Sequence, residues 1–194
     1  MRTLLLARHG ETSWNALGKL QGHTDIELHE AGRAQARELA ALLTSSGVSG
    51  VVTSDLARAR ETGAIVAAVL GLPPPEIEPA LRERAFGVFE GLTRDECAAQ
   101  HPDAWAAWVA QTGCPPGGEP RQAASARMGA TLARVASSRG DGGPLLVVSH
   151  GGVMRLWLTS VMVEPVALIG NGHTFLVEHD ASGVRARRFT PTAP

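Results

Sequence analysis

A chain of 194 residues supports one substantial hydrophobic core and leaves little room for another, so a single domain over residues 1–194 is expected. Its 44% hydrophobic and 19% charged content is ordinary for a globular protein, and a net charge of -1 removes any global attraction to nucleic acid or an acidic membrane. Two cysteines, Cys97 and Cys114, give no disulfide framework and no zinc spacing, which suits reduced thiols in a cytoplasmic protein.

The first element is the short apolar run Leu4 to Ala7, read as a strand buried on both faces and too short for a signal-peptide core or a membrane span. It ends in Arg8-His9-Gly10, a costly place for charge unless an anion lies against it. A loop from Glu11 to Leu28 follows. Ala36, Leu39, Ala40 and Leu43 then fall at helical spacing and predict an amphipathic helix. Val51 to Thr53 reads as a second buried strand, with Ser54 or Asp55 as N-cap of the next helix. That helix carries Leu56, Ile65, Val66, Val69 and Leu70 inward and stops at Gly71.

A weak strand at Glu76 to Glu78 leads into the segment "LRERAFGVFEG". Residues 93–120, with Trp105 and Trp108, read as short helices forming a small helical lid, closed by the turn-rich "GCPPGGEP". The two tryptophans, three apart, serve either packing or a substrate platform. An Ala-rich helix covers about Pro120 to Ser138, and Leu145 to Ser149 is the third strong strand, followed by a helix from Gly152 to about Val163. The chain closes with a hairpin of "HTFLVEHD" and "VRARRFT" around a Ser-Gly turn.

Strands alternating with helices predict an α/β fold, a three-layer α/β/α sandwich on a mainly parallel mixed sheet. Such sheets bind ligands beyond the carboxyl ends of their strands. Those ends carry Arg8-His9, Arg58 in the first turn after strand two, and His150-Gly151. Two arginines and two histidines at one sheet edge suit a phosphate, since guanidinium donors match its oxygens in pairs and a helix N-terminus adds N–H groups. A histidine among arginines is held neutral, and a neutral imidazole is a nucleophile. Arg58 has a plainer reading as an ion pair with Asp55 or Glu61, three residues away on either side. His23, His29, His101, His173 and His179 show no metal-ligand spacing, so neither a metal nor another cofactor is expected.

"LARHGETSWN", "TSDLARARET", "LRERAFGVFEG" and "VVSHGGVMR" resemble, in order, the four signature segments of the histidine phosphatase superfamily, with its phosphoglycerate mutase-like fold. The resemblance implies that His9 is the nucleophile that becomes phosphohistidine without a metal. Arg8, Arg58 and His150 would hold the transferring group, with Glu83 as general acid and base. Asn15, Gln21, Gly22 and Gly151 would bind substrate. For Glu83 a solvated ion pair with the flanking Arg82 and Arg84 stands as the alternative.

Within that family, mutases carry cations in a longer insert, and this chain has none between Arg94 and Arg121. "PPGGEP" resembles the phosphatase branch instead. The expected function is metal-independent hydrolysis of a small phosphate ester through phosphohistidine. A cofactor-dependent mutase and a catalytically silent phospho-ligand binder are the alternatives. A lid without internal cations implies selection by apolar or neutral bulk more than by carboxylates. No nucleic-acid or membrane partner is expected, and a homodimer is compatible with this reading.

Overall fold

The computed structural model describes residues 2–138, 142–180 and 183–190. Six strands form one sheet in the order β3-β2-β4-β1-β5-β6. They are β1 (Arg2–Arg8), β2 (Gly50–Thr53), β3 (Glu76–Ile77), β4 (Leu145–Ser149), β5 (Thr174–Asp180) and β6 (Gly183–Arg188). The β1–β4, β2–β4 and β2–β3 pairings are parallel, while β5 lies antiparallel to both β1 and β6. The mainly parallel mixed sheet is therefore as expected.

Among the described residues seven α-helices accompany it: α1 (Ser13–Ala16), α2 (Glu30–Leu43), α3 (Ala57–Leu70), α4 (Arg94–Gln100), α5 (Pro102–Val109), α6 (Arg121–Ser137) and α7 (Gly151–Val161). The continuous apolar run of β1 is explained by two cores. Leu4 and Leu6 join Val147, Met128, Leu132, Met154 and Leu158 on the side of α6 and α7. Leu5 and Ala7, pointing the other way, join Val148, Leu39, Leu43 and Val66 on the side of α2 and α3. A central strand feeding two apolar layers has no polar face to alternate with, and the result is three layers.

Register places the polar strand ends level. Arg8 is opposite Ser149, and Thr53 is opposite Val148. The ladder runs one step past the strands, with His9 N–H donating to Ser149 and Ser54 N–H to Val148, each at 3.0 Å. His9 and His150 thus emerge side by side where the chain departs from β1 and β4.

Several local expectations are corrected. The stretch Glu11 to Leu28 is not all loop, because α1 forms there on a capping box between Thr12 and Asn15. Neither Ser54 nor Asp55 caps α3. Leu56 occupies the cap position, and the Ala57 N–H donates instead to Asp25 Oδ1 at 2.6 Å. Asp55 is held by Arg82. Val69 does not face inward; it is 55% exposed, since α3 buries the face of Val66 and Ala67. The serine of the predicted Ser-Gly turn, Ser182, lies outside the described residues. No described helix is long and apolar enough to cross a membrane.

Candidate active site

His9 leaves β1 with its backbone fixed on both sides. Its N–H donates to Ser149, and its carbonyl accepts from Asn171 Nδ2 at 2.9 Å. The ring is fixed as well: Nδ1 lies 2.6 Å from the Gly10 carbonyl, which can only accept, so Nδ1 carries the proton and Nε2 presents a bare lone pair. Burial first, then the charges of Arg8 and Arg58, holds this imidazole well below the ordinary histidine value.

His150 sits beside it, with ring centroids 5.1 Å apart. Arg58 Nε donates to His150 Nδ1 at 3.2 Å, so the proton of this neutral ring resides on Nε2. Burial, followed by the Arg58 charge, holds His150 low too. The two histidines therefore have opposite tautomers. One offers a lone pair and the other an N–H.

Arg58 is 1% exposed and pairs with neither Asp55 nor Glu61. Its remaining nitrogens donate to the carbonyls of Gly22 (2.7 Å) and Thr24 (2.9 Å), and burial lowers its pKa to about 10, leaving it cationic at neutral pH. Arg8 Nη1 donates to the Ile169 carbonyl at 2.6 Å. Arg8 Nε, His150 Nε2 and Gln21 Oε1 are buried without a partner among the described residues. In a protein where buried polar groups are normally paired, a cluster of unpaired ones marks where a polar ligand fits.

Glu83 does not pair with Arg82 or Arg84. Its carboxylate accepts from Arg84 N–H, Val153 N–H and Gly152 N–H at 2.8, 2.6 and 2.8 Å, capping the amino end of α7. Contact this close requires glycine at 152, where a Cβ would stand 2.7 Å from Glu83 Oε1. Asn15 spends its side-chain carbonyl on Thr12 and is among the residues lining the pocket. Gly22 takes φ 54° and lies against Glu90, whose carboxylate collects the N–H groups of His23, Thr24 and Phe86.

A cavity of about 240 Å³ is lined by Arg8, His9, Asn15, Gln21, Gly22, Arg58, Glu83 and Gly151, with His150 buried next to His9. Every site residue expected from the sequence is thus brought together. The sequence reading missed Thr62, Asn171, Glu90 and Arg127. Thr62 Oγ1 accepts from Gly10 N–H, and Arg127 holds the carbonyls of Ala80, Arg82 and Glu83. None is among the residues lining the pocket; Thr62 and Glu90 lie inside the quoted segments "TSDLARARET" and "LRERAFGVFEG" without a role read for them, while Asn171 and Arg127 are isolated polar residues whose partners lie far along the chain.

The lid itself has no internal cation, as expected, yet the approach to the site is not poor in cations. A second cavity of about 500 Å³ adjoins the first, sharing Leu20, Phe86, Gly152 and Arg155, and Arg84, Arg94 and Arg121 line it together with Trp105 and Trp108. The segment between Arg94 and Arg121 lacks cations, but the fold brings arginines from its ends and from elsewhere. The tryptophans do pack, with Phe89 edge-on to both. They also form pocket wall. No described group of three or more His, Cys, Asp or Glu side chains is placed to hold a metal ion.

The profile of the histidine phosphatase superfamily (branch 1) matches residues 4–190. The chain is 40% identical over 156 residues to phosphoglycerate mutase-like protein 4 of Arabidopsis thaliana, covering 78% of this chain and 67% of that one. It is 34% identical over 174 residues to glucosyl-3-phosphoglycerate phosphatase of Mycobacterium tuberculosis, covering 86% and 78% respectively. The solved structure of a mycobacterial glucosyl-3-phosphoglycerate phosphatase complexed with VO3 superposes with a TM-score of 0.83 at 30% identity, covering 100% of both chains. Matched over nearly its whole length in sequence and in fold, the chain belongs to the histidine phosphatase superfamily.

Proposed function

We propose that this chain hydrolyses small phosphate monoesters without a metal, by way of a phosphoryl group carried on His9 Nε2. The observation that carries this reading is the pair of opposed tautomers: a bare Nε2 on His9 beside an N–H on His150, with Arg8 Nε unpaired next to them. Phosphoryl transfer asks for positioning and for cancellation of charge on the equatorial oxygens. Arg8, Arg58, His150 Nε2–H and Asn15 Nδ2 supply the donors, and Gln21, Gly22 and Gly151 shape the surrounding wall.

In the first half-reaction His9 Nε2 attacks phosphorus, the bond to the ester oxygen breaks, and the leaving oxygen takes a proton from the Glu83 carboxyl group. The Gly10 carbonyl, 2.6 Å from Nδ1, stabilises the positive ring that results. In the second, water attacks phosphorus while the Glu83 carboxylate takes its proton, which restores His9 and releases phosphate. Relatives named as phosphatases support hydrolysis as the outcome, among them a metal-independent phosphoserine phosphatase of Arabidopsis thaliana, 35% identical over 156 residues. Two free thiols fit a cytoplasmic setting, and a site drawn from one chain works in a monomer or a homodimer.

The test is phosphate release from a panel of phosphomonoesters in excess chelator, run beside conversion of 3- to 2-phosphoglycerate with bisphosphoglycerate added. Undiminished hydrolysis and negligible conversion are expected. Loss of turnover restored by a divalent ion would overturn the metal-free mechanism, and efficient conversion would make the chain a mutase.

A further inference from the structure

Glu83 sits on a stretch that belongs to no helix or strand. Residues 82–85 run between a 3₁₀ turn at Pro79–Leu81 and the bridge that pairs Phe86 with Gly118. The backbone N–H groups at the start of α7 fix its carboxylate, but the main chain that delivers the carboxylate needs holding too. Side chains do this. The carbonyls of Ala80, Arg82 and Glu83 accept from Arg127 at 2.8, 2.9 and 3.3 Å, and that of Leu81 accepts from Ser149 Oγ at 2.8 Å. His23 Nε2 also donates to the Glu83 carbonyl, at 2.8 Å. Four consecutive carbonyls that a helix or sheet would otherwise pair are thus satisfied by side chains from distant segments.

Arg127 contributes most of these bonds. Its Nε and Nη2 form a fork on the Glu119 carboxylate, at 2.9 and 2.6 Å, while the other N–H groups take the three carbonyls. All five donors of the guanidinium are spent, an arrangement that the compact ammonium of lysine does not copy. Glu119 is tied to the same stretch through its backbone. Its N–H donates to the Ala85 carbonyl at 2.9 Å, and its carbonyl accepts from Arg84 Nε. The residues on both sides of Glu83 are therefore fixed by one ion pair between α6 and the end of the lid. Arg127 is not among the residues lining either cavity, so its route to the chemistry runs through the Glu83 backbone.

Resting on the reading of Glu83 as general acid, we propose that Arg127, clamped by Glu119, is a positioning residue for proton transfer. It sets where the Glu83 carboxyl group stands relative to the leaving oxygen, and it takes no part in holding the phosphoryl group. A displacement of 1 Å at a reacting group can cost about 10²-fold in rate, so a loosened loop is felt in the step that needs the proton.

Single-turnover bursts with benzyl phosphate and with p-nitrophenyl phosphate, whose leaving group departs without a proton, test this. Arg127→Lys should slow the benzyl burst roughly 10- to 100-fold and the p-nitrophenyl burst far less. The substrate concentration that half-saturates the burst should stay near the parent value, since Arg127 does not touch the pocket. Glu119→Gln removes the counter-charge and should give the same contrast in smaller measure. The ratio of the two esters is read within one preparation, so it does not depend on how much of each variant is folded. In a Glu83→Gln background no proton is left to place, and adding Arg127→Lys should leave the ratio where Glu83→Gln put it. Equal slowing of both esters by Arg127→Lys, or by Glu119→Gln should the lysine variant not fold, would overturn the positioning role and leave the acid role of Glu83 intact. So would a further change of the ratio in the double variant. Equal slowing of both esters by Glu83→Gln would overturn the acid reading and this proposal with it.

Discussion

Glu83 bears the role in this mechanism that its surroundings make most specific. Three backbone N–H groups from Arg84, Gly152 and Val153 fix its carboxylate, so its position is set by the start of α7 and not by neighbouring charges. An alkyl alcohol leaves as a poor alkoxide unless protonated, and a positioned acid contributes about 10²–10⁴-fold. p-Nitrophenolate needs no such help. Glu83→Gln should therefore slow the single-turnover burst severely with an alkyl phosphate and far less with p-nitrophenyl phosphate. Equal slowing would make Glu83 a positioning group. The buried histidines add a pH dependence of stability. Both have folded pKa values below the ordinary one, so the unfolded chain binds more protons as pH falls below about 6.5. Their stabilisation is complete above that value and is lost on acidification, by up to about 1.4 kcal/mol per pH unit for each ring. Urea unfolding between pH 7 and pH 5 should show this slope, reduced in His150→Gln. An unchanged slope would mean that His150 is not held neutral by the fold.

Elements translate these demands into backbone. Helix α7 begins with Gly151 and Gly152 because Arg8 and Glu83 press against them; a Cβ at 151 would come within 3.1 Å of Arg8 Nε. Gly152→Ala should therefore displace Glu83 while leaving the fold in place, and so reproduce the leaving-group selectivity of Glu83→Gln at lower severity. A variant equally impaired toward both leaving groups would count against this geometry. Much of the element pattern was readable beforehand. The apolar runs of β1, β2 and β4, the periodic spacing in α2 and the Ala-rich composition of α6 are local signals, and the residues at the strand ends sit at positions that follow from parallel pairing. The missed features are either very short or tertiary. Helix α1 has four residues, too few for a period, and rests on the Thr12–Asn15 capping box. The cap of α3 comes from Asp25, which the sequence separates from Ala57 by a whole helix and strand. Val69 falls on the outward face because α3 packs by Val66 and Ala67 against β2 and α2, a rotation that its weakly patterned, Ala-rich sequence does not specify. The arginines of the second cavity come from four separate segments, so counting cations along any one of them undercounts the pocket.

At the scale of the whole molecule, the sheet order decides where chemistry is possible. β1 lies between parallel β4 and antiparallel β5, so its carboxyl end opens beside that of β4 while the return from α7 brings Ile169 and Asn171 up to it. Two apolar cores, one on each face of the sheet, back that edge, and the charged groups gathered there are held by backbone carbonyls and amides more than by one another. The proposed mechanism makes a single demand of this arrangement: the phosphoryl group passes through His9. Rapid quench with a ³²P-labelled phosphomonoester measures that directly. Acid-labile, base-stable label is expected on the protein during turnover, mapped to the peptide carrying His9 and lost in His9→Ala. Hydrolysis at the full rate in His9→Ala, or label recovered on another residue, would contradict it.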